Sequence, residues 1–316
     1  MSKYTSIGGQ ALIEGIMMRG PQKTAMAVRK PDGSIDISYL NFTQIKEKYK
    51  VLGWPVIRGV TAYIESMVQG YKALMKSAEI SGFAEDEEEL KKPEEERQSF
   101  SAGLWAAITV IASVLAVALG VFLFMFVPAK LFNLLNGLLG NSITHLAALF
   151  EGIIKLIVLV LYMALIAQMK DIKRVFMYHG AEHKTIFCFE HEKELTVENV
   201  RPERRFHPRC GTSFLVVMLL VSMLISSAVA ILFPVLRAKL LVWVLIKILM
   251  IPLICGVGYE VIKFCGRYDN TFTKIISAPG MWLQRITTAE PDDSMIEIAI
   301  AALNEVIPEN KEDALW

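Results

Sequence analysis

The sequence predicts a mainly α-helical membrane protein: a four-transmembrane-helix bundle with a small α+β cytoplasmic N-terminal domain and a helical C-terminal tail. Hydrophobic residues make up 53% of the 316 residues. The mean hydropathy of +0.42 exceeds that of ordinary soluble domains. Four apolar segments are each long enough to cross a hydrocarbon core of about 30 Å. Charged residues, 21% of the chain, cluster in blocks between these segments, as expected for polar domains joined to membrane spans.

The N-terminal domain, residues 1–83, contains the best strand pattern of the chain. A Pro31-Asp32-Gly33 turn separates a short apolar run from the alternating sequence IDISYL, so we expect a β-hairpin near 23–40. The glycines at Gly8-Gly9, Gly15 and Gly20 predict tight turns before that hairpin.

A helix is predicted over residues 55–80, with Pro55 in its first turn. Its apolar residues recur at helical spacing. We expect this amphipathic helix to pack on the hairpin or to lie on the membrane surface. Residues 84–100 then read as an acidic linker. The apolar stripe of the helix consists of Val56, Val60, Tyr63, Ile64, Met67, Tyr71 and Leu74.

The membrane domain is predicted over residues 101–262, with a cytoplasmic loop at 170–212. Pro252 is expected to kink the last span. Leucines between residues 131 and 149 predict a short amphipathic helix between the first two spans. The four spans are expected at 103–127, 152–169, 213–234 and 240–262.

Basic residues predict the orientation of these spans. The loop 170–212 carries nine lysines and arginines, whereas residues 128–150 carry only Lys130. The positive-inside rule therefore predicts a multi-pass protein of the cell membrane with both termini in the cytoplasm. The expected partners are the lipid bilayer and a membrane or cytoplasmic protein. A net charge of +1 gives no indication of nucleic-acid binding. Four cysteines are too few for a disulfide framework.

The C-terminal region, residues 263–316, is again polar. Asp293 or Ser294 is expected to cap a helix that continues to about Val306, with Ile296 and Leu303 on one face.

The motif with the clearest chemical meaning is His179-x-x-Glu182-His183. Histidines four residues apart on a helix lie about 6 Å apart on one face, so both imidazoles can reach one metal ion. The order HxxEH is the reverse of the zinc-protease motif HExxH, in which the glutamate is the general base. Three of the five histidines of the chain fall within thirteen residues around this motif.

A second half-site, His207-x-x-Cys210, directly precedes the third predicted span. Both ends of the intervening loop are anchored at the same membrane face, so we expect the two half-sites to meet around a Zn²⁺ ion. Four ligands would close the shell and make the metal structural. If one ligand is absent, an open position can hold water, and Glu182 is then the natural catalytic base.

Other polar residues are weaker candidates. Lys247 lies in the middle of the fourth predicted span, where it either pairs inside the bundle, for example with Glu151, or extends toward the membrane surface. Glu14 and Arg19 form either part of an active site or a surface ion pair at a turn. The remaining candidate metal ligands form an acidic turn that would otherwise be solvated: Glu190, His191 and Glu192.

Four segments together resemble the YqhQ-like family of bacterial integral membrane proteins: GGQALIEGIMMRGP, YHGAEHKTI, HPRCGTSFL and WLQRITTAEPDDSMIEIAIAAL. The resemblance covers nearly the whole chain apart from the acidic linker. It implies an integral membrane protein with a suspected metal site but no established reaction or substrate. The ligands that it implies are His179, His183, His207 and Cys210, with Glu182 as the base.

Three functions are compatible with these patterns. The first is a zinc-dependent hydrolase at the cytoplasmic membrane face, acting on a peptide or a lipid-linked group. The second is a non-enzymatic scaffold or assembly factor with a structural metal site. The third is an oligomeric small-solute transporter, for which Lys247 and the kink at Pro252 are the motivation.

Overall fold

The computed structural model describes residues 5–40, 50–83, 102–237, 239–268 and 270–314. Within them the chain is mainly helical, with one small antiparallel sheet near the N-terminus. The chain divides into two compact units. Unit 1 combines Met1–Ala84, Met163–Val217 and Gly258–Trp316, and unit 2 combines Glu85–Tyr162 and Met218–Val257. The acidic linker predicted at 84–100 lies outside the described residues.

The sheet is a four-stranded antiparallel meander in the order β1-β2-β3-β4. The expected hairpin is confirmed, because β3 and β4 pair around the Pro31-Asp32-Gly33 turn. The tight turn expected at Gly8-Gly9 is wrong, since both glycines lie in strand β1. The turn expected at Gly15 is present, because Gly15 pairs with Leu12 and closes the two-residue turn between β1 and β2. The strands are β1 (Gly8–Leu12), β2 (Gly15–Arg19), β3 (Thr24–Arg29) and β4 (Ile35–Tyr39).

Close packing explains why residue 15 is a glycine. A Cβ at Gly15 would lie 2.6 Å from the carbonyl oxygen of Ala27 on the neighbouring strand β3. A strand glycine often marks such a close approach of another backbone.

The two central strands are buried on both faces, so their apolar residues do not alternate with polar ones. On one face, Ile16 and Met18 join the main hydrophobic core with helices α5 and α12, which are Lys170–Glu190 and Asp293–Asn304. On the other face, Met17 and Met26 pack near Ala73. Unit 1 is therefore built as a sheet between two helical layers.

Helix α1 (Ile57–Ile80) supplies the layer that contains Ala73. It begins two residues after the predicted Pro55. Small and polar residues form its buried face, including Gly70, which lies against Gln10 of β1. Of the predicted apolar stripe, Leu74 packs against the sheet, whereas Met67 is 55% exposed. The expected packing of this helix on the hairpin is therefore present, because Ala73 and Met26 of β3 share one core, although the face that the helix uses consists mostly of small and polar residues.

The C-terminal region contains two helices rather than one. Helix α12 begins at Asp293, and its cap is Asp292, whose carboxylate accepts a hydrogen bond from the Met295 N–H at 3.0 Å. The sequence prediction missed helix α11, Thr271–Thr287, because Pro279 and Gly280 interrupt its helical pattern.

Helix α5 occupies the first half of the segment predicted as a loop at 170–212. The remaining helices are α2 (Ala102–Val121), α3 (Val127–Leu138), α4 (Ala147–Ile166), α6 (Val197–Val200), α7 (Gly211–Leu232), α8 (Pro234–Arg237), α9 (Leu240–Leu249) and α10 (Ile251–Arg267).

Several of these helices are long and apolar enough to cross a membrane. Three helical segments are long and apolar enough on their own: Val110–Leu138, Ala147–Ile166 and Gly211–Leu232. The pair α9 and α10 makes a fourth if it counts as one span, with a bend of 47°. The bend falls at Met250, two residues before the proline expected to cause a kink. The amphipathic helix expected after the first span is not separate from it: α3 continues α2 through a π-helical turn (Phe122–Phe126) and belongs to the candidate span Val110–Leu138.

Candidate functional site

Helix α5 carries the HxxEH motif in the interior of unit 1. His183 is 1% exposed and Glu182 is 5% exposed. The helix approaches the segment after α11 so closely that Gly180 leaves no room for a side chain: a Cβ there would lie 2.1 Å from the Ala289 carbonyl oxygen. The rings of His179 and His183 are 4.4 Å apart between centroids. The one-face arrangement expected from the i, i+4 spacing is therefore present.

Cys210 completes a cluster with the two histidines. The His179 Nε2 and Cys210 Sγ atoms are 3.0 Å apart. The candidate ligand atoms of His179, His183 and Cys210 all lie within 4.8 Å of one another. Two ligand atoms of one tetrahedral zinc ion are about 3.5 Å apart, given metal–ligand distances of about 2.0–2.3 Å. The cluster thus needs only small adjustments to hold such an ion.

Backbone carbonyls fix the orientation of both imidazoles. The His179 Nδ1 atom lies 2.8 Å from the Thr287 carbonyl oxygen, and the His183 Nδ1 atom lies 2.5 Å from that of Arg205. A carbonyl only accepts hydrogen bonds, so each Nδ1 donates and a neutral ring keeps its lone pair on Nε2. Such carbonyl partners are typical of metal-bound histidines. Sequence reasoning missed Thr287 and Arg205, because their side chains take no part.

The Nε2 atom of His183 supports the same interpretation. It is buried and has no hydrogen-bond partner among the described residues. Buried polar atoms normally have one, and an unsatisfied atom in a native site calls for an explanation such as an ion. The donor set of two imidazole nitrogens and one thiolate is a ligand combination that zinc accepts.

His207, the fourth predicted ligand, lies beside the cluster but not in it. Its ring centroid is 5.5 Å from that of His183. Its Nε2 atom lies 3.7 Å from a carboxylate oxygen of Glu190 and 3.4 Å from the guanidinium of Arg209. Burial lowers the pKa of His207 to about 4, although Glu190 acts in the opposite direction.

Gln284 of α11 holds the backbone of His207 in place. Its side-chain oxygen accepts from the His207 N–H at 2.7 Å, and its side-chain nitrogen donates to the His207 carbonyl at 2.8 Å. Gln284 is fully buried. No sequence pattern indicated this role, since Gln284 belongs to the helix that was not predicted.

Glu182 is enclosed by the first strand of the sheet. Gly9 of β1 lies against its carboxylate, and a Cβ at Gly9 would lie 2.8 Å from the carboxylate carbon. Burial raises the pKa of Glu182, while the charges of His183 and His179 partly oppose that rise. A carboxylate with a raised pKa in a partly apolar setting has the properties of a general base.

Cys210 has the environment of a thiolate. Burial raises the pKa of its thiol, but the positive charges of His179 and His183 outweigh burial and bring it well below its usual range. It directly precedes α7, and the Thr212 N–H donates to its sulfur at 3.4 Å. A helix N-terminus stabilises a thiolate in this way. Burial lowers the pKa of His179, but the charge and hydrogen bond of Cys210, the charge of Glu182 and the Thr287 carbonyl together outweigh burial and raise the pKa to about 9.

The other polar candidates lie elsewhere. The His191 ring nitrogen lies 3.0 Å from the carboxylate of Glu203. Glu192 is exposed and has a positive φ of 57°. Glu14 pairs with Arg174 of α5 rather than with Arg19. Arg19 donates to Gln69 at 3.4 Å. The expected Glu14–Arg19 set therefore does not form, and neither residue belongs to the His/Cys cluster.

Comparison with known proteins covers most of the chain. Residues 54–309 match the model of a family described as Protein of unknown function (DUF1385). The chain is 35% identical over 311 residues to "Uncharacterized protein YqhQ" of Bacillus subtilis (strain 168), which covers 97% of this chain and 95% of that protein. No solved structure matches the chain. The chain therefore belongs to the DUF1385 family, the YqhQ-like proteins.

Proposed function

We propose that the protein is a zinc-dependent hydrolase associated with a membrane, with His179, His183 and Cys210 as ligands and Glu182 as general base. The observation that carries the proposal is the convergence of three candidate ligand atoms within 4.8 Å beside a buried glutamate. Three protein ligands leave a position for water or substrate, as in catalytic zinc sites, and zinc lowers the pKa of bound water to about 7.

The residues of the chain would divide the chemistry as follows. Glu182 accepts the proton of the attacking water, whose oxygen forms the new bond to the carbonyl or phosphoryl centre. As the bond to the leaving group breaks, Glu182 returns that proton to the leaving group. The close approach of Gly9 to the Glu182 carboxylate keeps that carboxylate positioned while its charge changes. His179 and Cys210 are only partly buried, which leaves substrate a route to this side of the cluster.

Metal content and spectroscopy of the detergent-purified full-length protein test the proposal. We expect about one zinc per chain in the wild type, loss of zinc in His183→Ala, and full retention in Glu182→Gln. His191→Ala is the matched control, because His191 lies near the end of the same helix but outside the cluster. Cobalt substitution should give the absorption of a thiolate-bound ion, and azide should change it if a coordination position is open.

Activity is tested by incubating the zinc-loaded protein with a mixed peptide library and identifying new termini by mass spectrometry. A set of phosphodiester and acyl-ester lipids covers the lipid-linked substrates. Glu182→Gln should abolish every cleavage that the wild type makes while keeping its zinc. Equal cleavage by the two proteins would refute the role of Glu182, and a zinc-free wild type would refute the metal site.

The scaffold alternative is favoured by the closeness of His207 to His183. If His207 gave up its contacts with Glu190 and Arg209, it would close the shell as a fourth ligand and make the metal structural. His207→Ala separates the two functions. We expect this variant to retain zinc, whereas a closed four-ligand site would lose most of it and would not respond to azide.

A second enzymatic candidate follows from the 3.0 Å contact between His179 and Cys210. A thiolate beside a histidine is also a nucleophile for acyl transfer. Iodoacetamide labelling distinguishes the two roles. A zinc ligand should become reactive only after chelation, whereas a catalytic nucleophile should react in the protein as purified.

We also propose that the protein is a multi-pass protein of the cell membrane with both termini in the cytoplasm. Three separate stretches of chain form unit 1, and a compact polar unit is expected to lie on one side of a bilayer. The intervening stretches would then cross an even number of times, in agreement with four spans and with the basic residues of 170–212. Green fluorescent protein at the C-terminus should fluoresce, and alkaline phosphatase fused after Asn141 should be active. The reverse pattern would refute this orientation.

A further inference from the structure

Unit 2 contains a buried ionic cluster formed by Glu151, Lys155 and Lys247. Glu151 and Lys155 lie one turn apart on α4, and Lys247 of α9 forms an ion pair with Glu151. The pairing of Lys247 with Glu151 expected from the sequence is therefore present. All three residues are at least nine-tenths buried, with exposed fractions of 4%, 7% and 3%. Both helices are among those apolar enough to cross a membrane.

Lys155 is the buried lysine of this cluster that the Lys247–Glu151 ion pair does not include. Lys155 is close enough for both Glu151 and Lys247 to act on it electrostatically, and no hydrogen bond or ion pair to its ammonium group is found within the described part of the chain. A buried charge without a hydrogen-bonding partner is costly, and ionisable residues in membrane spans commonly mark binding sites or ion pathways.

Trp243 adds a further unpaired donor to the same cluster. It lies one turn before Lys247 on α9, and the Lys247 ammonium nitrogen is 5.1 Å from the centroid of its ring. The side chain is 2% exposed, and its indole N–H has no hydrogen-bond partner among the described residues. An indole N–H only donates. Lys155 and Trp243 therefore both carry N–H groups for which the described residues supply no acceptor.

We propose that Lys155, Lys247 and Trp243 form a binding site for an anionic phosphate group in the membrane domain. Glu151 orients Lys247 and leaves Lys155 as the main cation for the ligand. The phosphate is either that of an anionic lipid headgroup or a free inorganic ion. Because the four residues all lie in unit 2, this site is independent of the His/Cys cluster and of the hydrolase proposal.

The test uses the full-length protein in an uncharged detergent. Inorganic phosphate, a short-chain phosphatidylglycerol and the matching phosphatidylcholine are titrated separately. Native mass spectrometry gives the stoichiometry, and the shift in thermal unfolding midpoint gives the apparent affinity. We expect one phosphatidylglycerol or one phosphate per chain and no comparable binding of phosphatidylcholine. Saturation by phosphate alone identifies a free ion, whereas binding of phosphatidylglycerol alone identifies a headgroup site.

Variants assign the binding to the cluster. Lys155→Met should weaken it about tenfold or more, the effect of losing one charge-assisted hydrogen bond. Trp243→Phe keeps an aromatic ring at this position but removes the indole N–H, and it should weaken binding severalfold. Lys130→Met is the matched control, since Lys130 is an exposed lysine of the same unit. Unchanged affinity in Lys155→Met, an equal loss in Lys130→Met, equal binding of phosphatidylcholine, or no binding to the wild type would each overturn the proposal.

Discussion

Replacing Gly180 by alanine tests the packing that holds the histidine pair in place. Gly180 lies between His179 and Glu182, and a methyl group there would be 2.1 Å from the Ala289 carbonyl oxygen. An ordinary contact needs about 3.2 Å, so the two backbones would have to separate by about 1 Å. The Ala289 N–H donates to the Phe176 carbonyl at 2.8 Å, and this hydrogen bond would be strained or lost.

The sign of the change in stability shows whether overpacking or helix propensity dominates at residue 180. In the interior of a helix, alanine is more favourable than glycine by about 1 kcal/mol. Overpacking against a backbone carbonyl costs about 3 kcal/mol, the upper end of the usual range, because no flexible side chain can move aside. We therefore expect Gly180→Ala to destabilise unit 1 by about 2 kcal/mol. It should also weaken the proposed zinc binding by about 10–100-fold, since displacing Ala289 moves the nearby Thr287 carbonyl away from His179.

Thermal unfolding in detergent, with and without chelator, measures the change in stability. Competition with a fluorescent zinc indicator measures the change in zinc affinity. Gly211→Ala is the matched control, because Gly211 begins α7 next to Cys210 and a Cβ there meets nothing within 4 Å. It should be neutral or slightly stabilising. If Gly180→Ala proved as stable as the wild type and bound zinc equally well, the close approach of α5 to the segment after α11 would be refuted.

Three further predictions concern stability. Burial raises the pKa of Glu203, but hydrogen bonds from Lys193 and His191 outweigh burial and lower this pKa. The carboxylate thus contributes stability above its unfolded pKa of about 4.3, and that contribution is lost as the pH falls through the folded pKa. Thermal midpoints of Glu203→Gln should therefore fall below wild type at pH 7 and converge with it near pH 3; a constant difference would contradict this. Asp292→Ala removes the cap that accepts from Met295 and should cost about 1 kcal/mol in denaturant unfolding, whereas Asp292→Asn should cost much less. Lys247→Met removes the ion pair with the buried Glu151 and should lower the free energy of unfolding by about 3–5 kcal/mol. Unfolding in mixed detergent micelles measures this change. A decrease of less than about 1 kcal/mol would contradict a buried ion pair.

Short sequence patterns predicted the elements whose structure depends mainly on residues that are neighbours in the sequence. The hairpin around Gly33 and the long apolar helices follow from turn chemistry and from continuous hydrophobic runs. Strands β1 and β2 were missed, because Gly9 and Gly15 meet the rest of the protein through contacts that no local pattern contains. Helix α11 was missed for a similar reason: Gly280 approaches Ser213 of α7 at 2.5 Å from where its Cβ would lie.

The candidate site shows the same division. The spacing of His179 and His183 on one helix face was predictable, and the convergence of Cys210 followed from the anchoring of its segment. The exclusion of His207 was not, because it depends on Glu190, Arg209 and the buried Gln284. The backbone carbonyls that orient the two imidazoles were also beyond prediction, since they depend on the path of the main chain and on no side-chain type.

The anchoring of His179 to Thr287 has a consequence for the biosynthesis of the protein. The helix with both histidines is made first, Cys210 follows, and the Thr287 carbonyl exists only after residue 287 has been translated. A nascent or prematurely terminated chain therefore lacks one support of the cluster even when its three side chains are present. Tight metal loading would then be reserved for finished molecules and would add its binding energy to the fully assembled state alone.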